Sequence, residues 1–112
     1  MNTNKNYHTI KFEMKDKFGV ITINRPDKLN ALTVELLSEL KELLTDLKGD
    51  EKFNLQGLIV TGEGEKAFIA GADIGEMSDM TPSDAYTFGH LGQQVTVLFE
   101  TLQVPVIGCV NG

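Results

Sequence analysis

The stretch TVELLSELKELLTDLKG, Thr33 to Gly49, decides how this 112-residue chain is read. Leu36, Leu37, Leu40, Leu43, Leu44 and Leu47 recur at helical spacing and make one apolar face. Glu39, Lys41, Glu42 and Asp46 take the outside. The Thr33 hydroxyl is placed to cap free N–H groups, and Glu35 suits the positive end of the helix. Gly49 marks the stop. A helix with one apolar stripe must cover something, and its flanks supply strands.

Upstream, Ile10, Phe12 and Met14 alternate with Lys11, Glu13 and Lys15, as in a half-buried strand. Asp16-Lys17-Phe18-Gly19 reads as a turn and Val20–Asn24 as the returning strand of a hairpin. Pro26 breaks that strand. Downstream, Leu55–Thr61 reads as a strand, followed by a glycine-bearing loop, a short extended run Ala67–Ala70, and a short helix reaching Met77. Thr81-Pro82-Ser83-Asp84 has the form of a capping box with proline at the first helical position. Leu91, Val95, Leu98 and Leu102 then form one stripe, with Gly89 and Gly92 as expected close-packing points. After Pro105, Val106–Val110 reads as a buried strand.

The predicted order is therefore β-β-α-β-β-α-β, an α/β layer architecture with parallel pairing after the opening hairpin. Residues 1–6 are expected to form a flexible tail and residues 7–112 a single unit. The sequence stops directly after a strand, where a covering element is expected next, so the unit reads as incomplete.

Composition narrows the function. At 41% hydrophobic residues the chain is too apolar to be disordered. A single cysteine allows no internal disulfide and fits a reducing compartment. Cys109, His8 and His90 are too scattered to suggest a metal site. A net charge of −6 disfavours a nucleic-acid partner. No apolar run approaches the ~20 residues of a membrane helix, and the first eight residues lack the apolar core of a secretion signal. The expectation is a cytoplasmic protein with neither membrane nor nucleic acid as partner.

Three segments invite chemistry. Gly62-x-Gly64-x-x-Ala67 superficially matches a dinucleotide fingerprint, but no helix opens after it, and Glu63 and Glu65 would repel phosphate. Ala70-Gly71-Ala72-Asp73-Ile74 allows close approach to the backbone. If a helix starts at Asp73, N–H groups near Ala72 face outward at the positive end of a dipole and could hold an oxyanion. A tight strand-to-helix turn would use the same residues and is the plainer reading from physics alone. Asn24–Leu32 is a polar connection after a strand end, where ligands gather in α/β sheets. Its Arg25 and Lys28 could meet an anion, or the loop is simply solvated. Met77 and Met80 read as filler rather than an acyl pocket. Tyr86, Phe88 and Phe99 suit a core or a subunit contact, and His8 and His90 suit the surface.

Three segments in register carry a resemblance. Asn24-Arg25-Pro26 with Asn30-Ala31-Leu32, Phe68-x-Ala70-Gly71-Ala72-Asp73-Ile74, and Pro105-Val106-Ile107 with Val110-Asn111-Gly112 resemble the enoyl-CoA hydratase/isomerase group of the crotonase superfamily. The similarity runs from about Ile10 to Gly112. It implies the N-terminal part of a spiral of β-β-α units that binds acyl-CoA thioesters and assembles as trimers or hexamers. The parent reaction would be hydration of a 2-enoyl-CoA, or a double-bond shift, through an enolate.

The resemblance also implies that the Ala72 N–H is the first oxyanion donor, that Asp73, Ile74 and Gly75 continue the substrate-binding stretch with Gly71, and that Lys28, Asn30, Ala31 and Ala70 lie near CoA. No cofactor is implied, since the thioester is the substrate. Relatives often carry lysine where Gly75 stands, and alanine where Cys109 stands. Asp73 does not match the family's general base. The second oxyanion donor and the catalytic glutamates of hydratases lie beyond the Val110-Asn111-Gly112 segment, so the 112 residues alone are expected to be inactive. Truncation would also expose apolar surface and favour oligomers. The rival from another class is a small non-catalytic α/β partner-binding module, which has no need of outward N–H groups at Ala70–Ile74.

Overall fold

In the computed structural model, residues 6–49 and 54–111 are described. The expected tail therefore falls largely outside the described residues, as does Gly112. The elements are β1 (Ile10–Lys15), β2 (Phe18–Ile23), a 3₁₀ turn (Pro26–Lys28), α1 (Val34–Gly49), β3 (Gly57–Gly62), α2 (Ile74–Ser78), α3 (Pro82–Thr101) and β4 (Val106–Cys109). The strands form one sheet in the order β1-β2-β3-β4. β1 and β2 pair antiparallel, from Ile10↔Ile23 to Lys15↔Phe18, so a two-residue turn joins them rather than four. Asp16 takes the left-handed conformation there, with φ of 55°, which aspartate tolerates better than most side chains. β2–β3 and β3–β4 pair parallel, with Val20↔Ile59 and Ile59↔Ile107 in register.

The leucine stripe of α1 forms the core. Leu36, Leu43 and Leu44 cluster with Ile21, Ile23 and Leu58, all but inaccessible to water, and Leu91 and Val95 of α3 complete the cluster. Each such side chain contributes roughly 1.5–3 kcal/mol of burial. Thr33 caps α1 as its sequence suggests, its hydroxyl accepting the Leu36 N–H at 3.1 Å. The capping box of α3 forms in full between Thr81 and Asp84.

Three expectations need correction and a fourth is narrowed. Ala67–Ala70 is not a strand, because its backbone bonds to a loop instead of a strand edge: the Ala67 carbonyl accepts from Asn30 and the Ala70 N–H donates to the Leu29 carbonyl. β4 is exposed along its whole length: it lies at the sheet edge, and among the described residues β3 is its one extensive neighbour, so no helix covers its faces. Gly89 and Gly92 are not close-packing points. A Cβ at Gly89 would meet nothing within 4 Å, and one at Gly92 would only just reach Leu37. Of the two alternatives for Tyr86, a core position is excluded: it is 75% exposed, with its ring stacked on His90 at a centroid distance of 6.0 Å. Phe88 and Phe99 do pack against the core from α3.

Candidate active site

Because β2 and β3 run parallel, the loops that follow Ile23 and Gly62 leave the same end of the sheet. Both are polar, and three backbone bonds zip them together. The Ala70 N–H donates to the Leu29 carbonyl (3.1 Å), the Leu32 N–H to the Gly71 carbonyl (2.7 Å), and the Asp73 N–H to the Leu32 carbonyl (2.9 Å). The last two make an isolated parallel bridge between Leu32 and Ala72. In such a bridge the bonds come from the residues on either side of Ala72, so its own N–H points to the opposite edge. Among the described residues nothing accepts that N–H. Gly71 makes the bend possible with φ of 94°, a conformation that side chains resist.

Side chains hold this turn. Arg25 donates from one guanidinium nitrogen to the Ala31 carbonyl (2.6 Å) and from the other to Asp73 Oδ2 (3.1 Å). Asp73 Oδ1 accepts the Glu76 N–H at 3.1 Å and so caps α2. That backbone bond, and then the Arg25 guanidinium, hold the Asp73 carboxyl below the usual carboxylate range. The Glu76 carboxylate in turn accepts the Val34 N–H at 2.8 Å and ties α2 to the start of α1. The N-terminal field of α2 is thus met by Asp73, and beside it the Ala72 N–H stands without an acceptor among the described residues.

The residues singled out from sequence separate into two groups. Ala70, Gly71, Ile74 and Gly75 are exposed, and Ala72 and Asp73 half-buried, along one continuous turn. Lys28 is exposed on the 3₁₀ turn nearby. Asn30 and Ala31 are enclosed, at 1% and 8% exposure. The Asn30 amide is committed to the chain: Oδ1 accepts the Arg25 N–H (2.8 Å), and Nδ2 donates to the carbonyls of Glu63 (3.0 Å) and Ala67 (2.9 Å). Its side chain therefore shapes the loops and is not presented to a ligand. Arg25 is likewise engaged within the fold rather than waiting for an anion.

Two contributors carried no local signal. Glu76 caps a helix 42 residues away. Asn111 grips the loop after β3 from the far side, donating to the carbonyls of Gly62 (2.8 Å) and Gly64 (2.6 Å) while accepting the Gly62 N–H (3.0 Å). Asn30 and Asn111 thus pin the same loop from two directions. Gly62 fits between them because a Cβ there would lie 2.5 Å from the Phe68 carbonyl oxygen.

An apolar groove of about 750 Å³ between α1 and α3 includes Leu32 and Ile69, which join it to the turn, with Phe88, Val95 and Phe99 along its length. Among the described residues no three His, Cys, Asp or Glu side chains gather as metal ligands. No helix there is long and apolar enough to cross a membrane.

The comparisons with known proteins converge on one family. The family model for enoyl-CoA hydratase/isomerase matches residues 13–112. The chain is 43% identical to a crotonyl-CoA hydratase of Syntrophomonas wolfei over 106 residues, covering 95% of this chain and 40% of that protein. It is 41% identical to a short-chain-enoyl-CoA hydratase of Clostridium acetobutylicum, covering 94% and 40%. Its fold matches the crystal structure of an enoyl-CoA hydratase from Bacillus anthracis with a TM-score of 0.88 and 32% identity, over 94% of this chain and 40% of that one. A similar match, TM-score 0.89 at 26% identity, is to Pseudomonas aeruginosa DspI, over 100% and 42%. The chain thus spans about two-fifths of the length of the relatives it matches, and its sheet and helices form part of the crotonase fold. From the Arg25-to-Ile74 loops outward, it belongs to the enoyl-CoA hydratase/isomerase family.

Proposed function

We propose that these 112 residues supply the first half of an oxyanion hole and part of the CoA cleft of an enzyme acting on acyl-CoA thioesters, the parent reaction being hydration of a 2-enoyl-CoA. The observation that carries this reading is the Ala72 N–H, unpaired among the described residues and held in place by bonds on both sides. A backbone N–H fixed in this way needs no reorganisation when a thioester oxygen gains charge, which is the source of oxyanion stabilisation. Ala70, Gly71, Asp73, Ile74 and Gly75 would border the bound thioester. Lys28, exposed and without an ion-pair partner among the described residues, would face the CoA phosphates. Asn30 and Ala31 would act by shaping the loop. No cofactor enters this scheme.

Hydration also needs a base to activate water and an acid to protonate carbon. Asp73 is a poor base, because both carboxylate oxygens are engaged and its pKa is lowered. In this reading the acid–base groups lie where the family resemblance puts them, in the part of the fold that this chain does not span, and the 112 residues alone are inactive. Exposed Val106, Ile107 and Val110 support self-association; sedimentation as a single monomeric species contradicts that part. The single cysteine supports a reducing, cytoplasmic setting.

The test is calorimetric titration with crotonyl-CoA, free CoA and acetate, alongside an assay for loss of the enoyl absorbance. Saturable binding of the thioester, tighter than free CoA and without turnover, is expected. Turnover by the 112 residues contradicts the assignment of acid–base chemistry elsewhere. Thioester binding no better than that of free CoA contradicts the oxyanion role.

A further inference from the structure

Arg25 stands out as a cation used entirely within the fold at the point where a ligand is expected. It sits at the end of β2, and its own N–H is held by Asn30 Oδ1. Its guanidinium reaches both zipped loops at once. One acceptor, the Ala31 carbonyl, immediately precedes Leu32; the other, Asp73, immediately follows Ala72. Leu32 and Ala72 are the bridge partners. Arg25 therefore spans the two residues flanking the bridge that turns the Ala72 N–H outward. The pair is well shielded, at 18% and 19% side-chain exposure, and charge-assisted bonds of this type are stronger than neutral ones.

We propose that Arg25 is a positioning residue for the Ala72 N–H, acting through Asp73 and the Ala31 carbonyl; this rests on the oxyanion reading above. The chemistry demands arginine. Its planar fork holds two acceptors at a fixed separation, whereas a lysine ammonium is a point charge on a flexible stem. The network closes on itself: Arg25 holds Asp73, Asp73 holds the Glu76 N–H, and Glu76 holds the Val34 N–H at the start of α1, three residues beyond Ala31. Removing the guanidinium leaves the bridge intact in principle but releases its outer flanks. The orientation of Ala72 is then free to vary while the core, built on α1, is not.

The test compares wild type with Arg25→Lys and Arg25→Gln by backbone amide exchange and ¹⁵N relaxation on the full 112-residue chain, with no ligand. The bridge amides Leu32 and Asp73 are expected to exchange about tenfold faster in both variants relative to the core amides Ile21 and Leu58, because local opening is separable from global unfolding. Ala72 is expected to lose order on the fast timescale. A merely structural role would accelerate bridge and core amides alike, and that result overturns the proposal, as does an unchanged Ala72. If Arg25→Gln does not fold, Arg25→Lys carries the same comparison.

A second readout is isotope-edited infrared spectroscopy of crotonyl-CoA labelled with ¹³C at the thioester carbonyl. Wild type is expected to shift the stretch to lower frequency, and Arg25→Lys to reverse most of that shift. Equal shifts in the two proteins overturn the positioning role. No shift in wild type overturns the oxyanion reading instead, while the ligand-free amide comparison still decides whether Arg25 positions the turn.

Discussion

Replacing Asn30 with alanine isolates the bracket that holds the two loops. Asn30 is 1% exposed and takes the left-handed conformation with φ of 57°. Its amide makes three bonds of 2.8–3.0 Å, to the Arg25 N–H and to the carbonyls of Glu63 and Ala67. Alanine leaves those three backbone groups without the amide. Each is half-buried, so water compensates in part, and about 1 kcal/mol per group is a fair charge, or about 3 kcal/mol together. Alanine also bears the left-handed backbone conformation, adding about 1 kcal/mol. The sum, about 4 kcal/mol, is a large fraction of the ~5–15 kcal/mol by which a domain is normally stable.

Glycine at the same position loses the three bonds but not the backbone ease, so Asn30→Gly is expected to be about 1 kcal/mol less damaging than Asn30→Ala. Aspartate keeps an acceptor for the Arg25 N–H but turns a carboxylate oxygen toward two carbonyls, and is expected to be at least as costly as alanine. Urea denaturation with common slopes measures all three. A loss below about 1 kcal/mol for Asn30→Ala, or glycine no better than alanine, refutes the reasoning.

Two glycines should respond with opposite signs. Gly62→Ala places a Cβ 2.5 Å from the Phe68 carbonyl oxygen and is expected to cost about 1–3 kcal/mol. Gly89→Ala meets nothing within 4 Å on α3 and is expected to stabilise by up to about 1 kcal/mol; thermal melts of the two variants check the contrast. The Asp73 carboxyl has a lowered pKa in the folded chain, so its contribution to stability is fully present above the ordinary carboxylate value and is lost as pH falls through the lowered one. Asp73→Asn should therefore flatten the acid limb of the stability profile; an unaltered acid limb contradicts the hold that the Glu76 N–H and the Arg25 guanidinium have on this carboxylate.

What the sequence revealed was governed by distance along the chain. The leucine stripe of α1, the Thr33 cap and the Thr81–Asp84 capping box are local patterns, and the structure contains each of them. The exposure of β4 was hidden because an apolar run says nothing about whether both of its faces are covered. Ala67–Ala70 has the composition of a strand, but its backbone partners come from residues 29 and 30, a choice no local pattern encodes. At the site, Ala70, Gly71 and Ala72 marked a tight turn into a helix at Asp73, and the structure has that turn, with Gly71 at φ of 94°. The roles of Arg25, Asn30, Glu76 and Asn111 were not legible: each acts on a partner 33 to 49 residues distant. A cation and an amide at the end of a strand read as ligand contacts until the carbonyls they serve are seen.

The proposed chemistry turns on the Ala72 N–H as an open donor for a thioester oxygen. The most direct measurement is the ¹H–¹⁵N resonance of Ala72 during titration with crotonyl-CoA, with free CoA as the parallel series. The thioester is expected to move the Ala72 proton downfield, as a new hydrogen bond requires, and free CoA to shift resonances around Lys28 while leaving Ala72 in place. An Ala72 resonance that stays fixed while the thioester saturates its site, or that moves equally with free CoA, contradicts that chemistry.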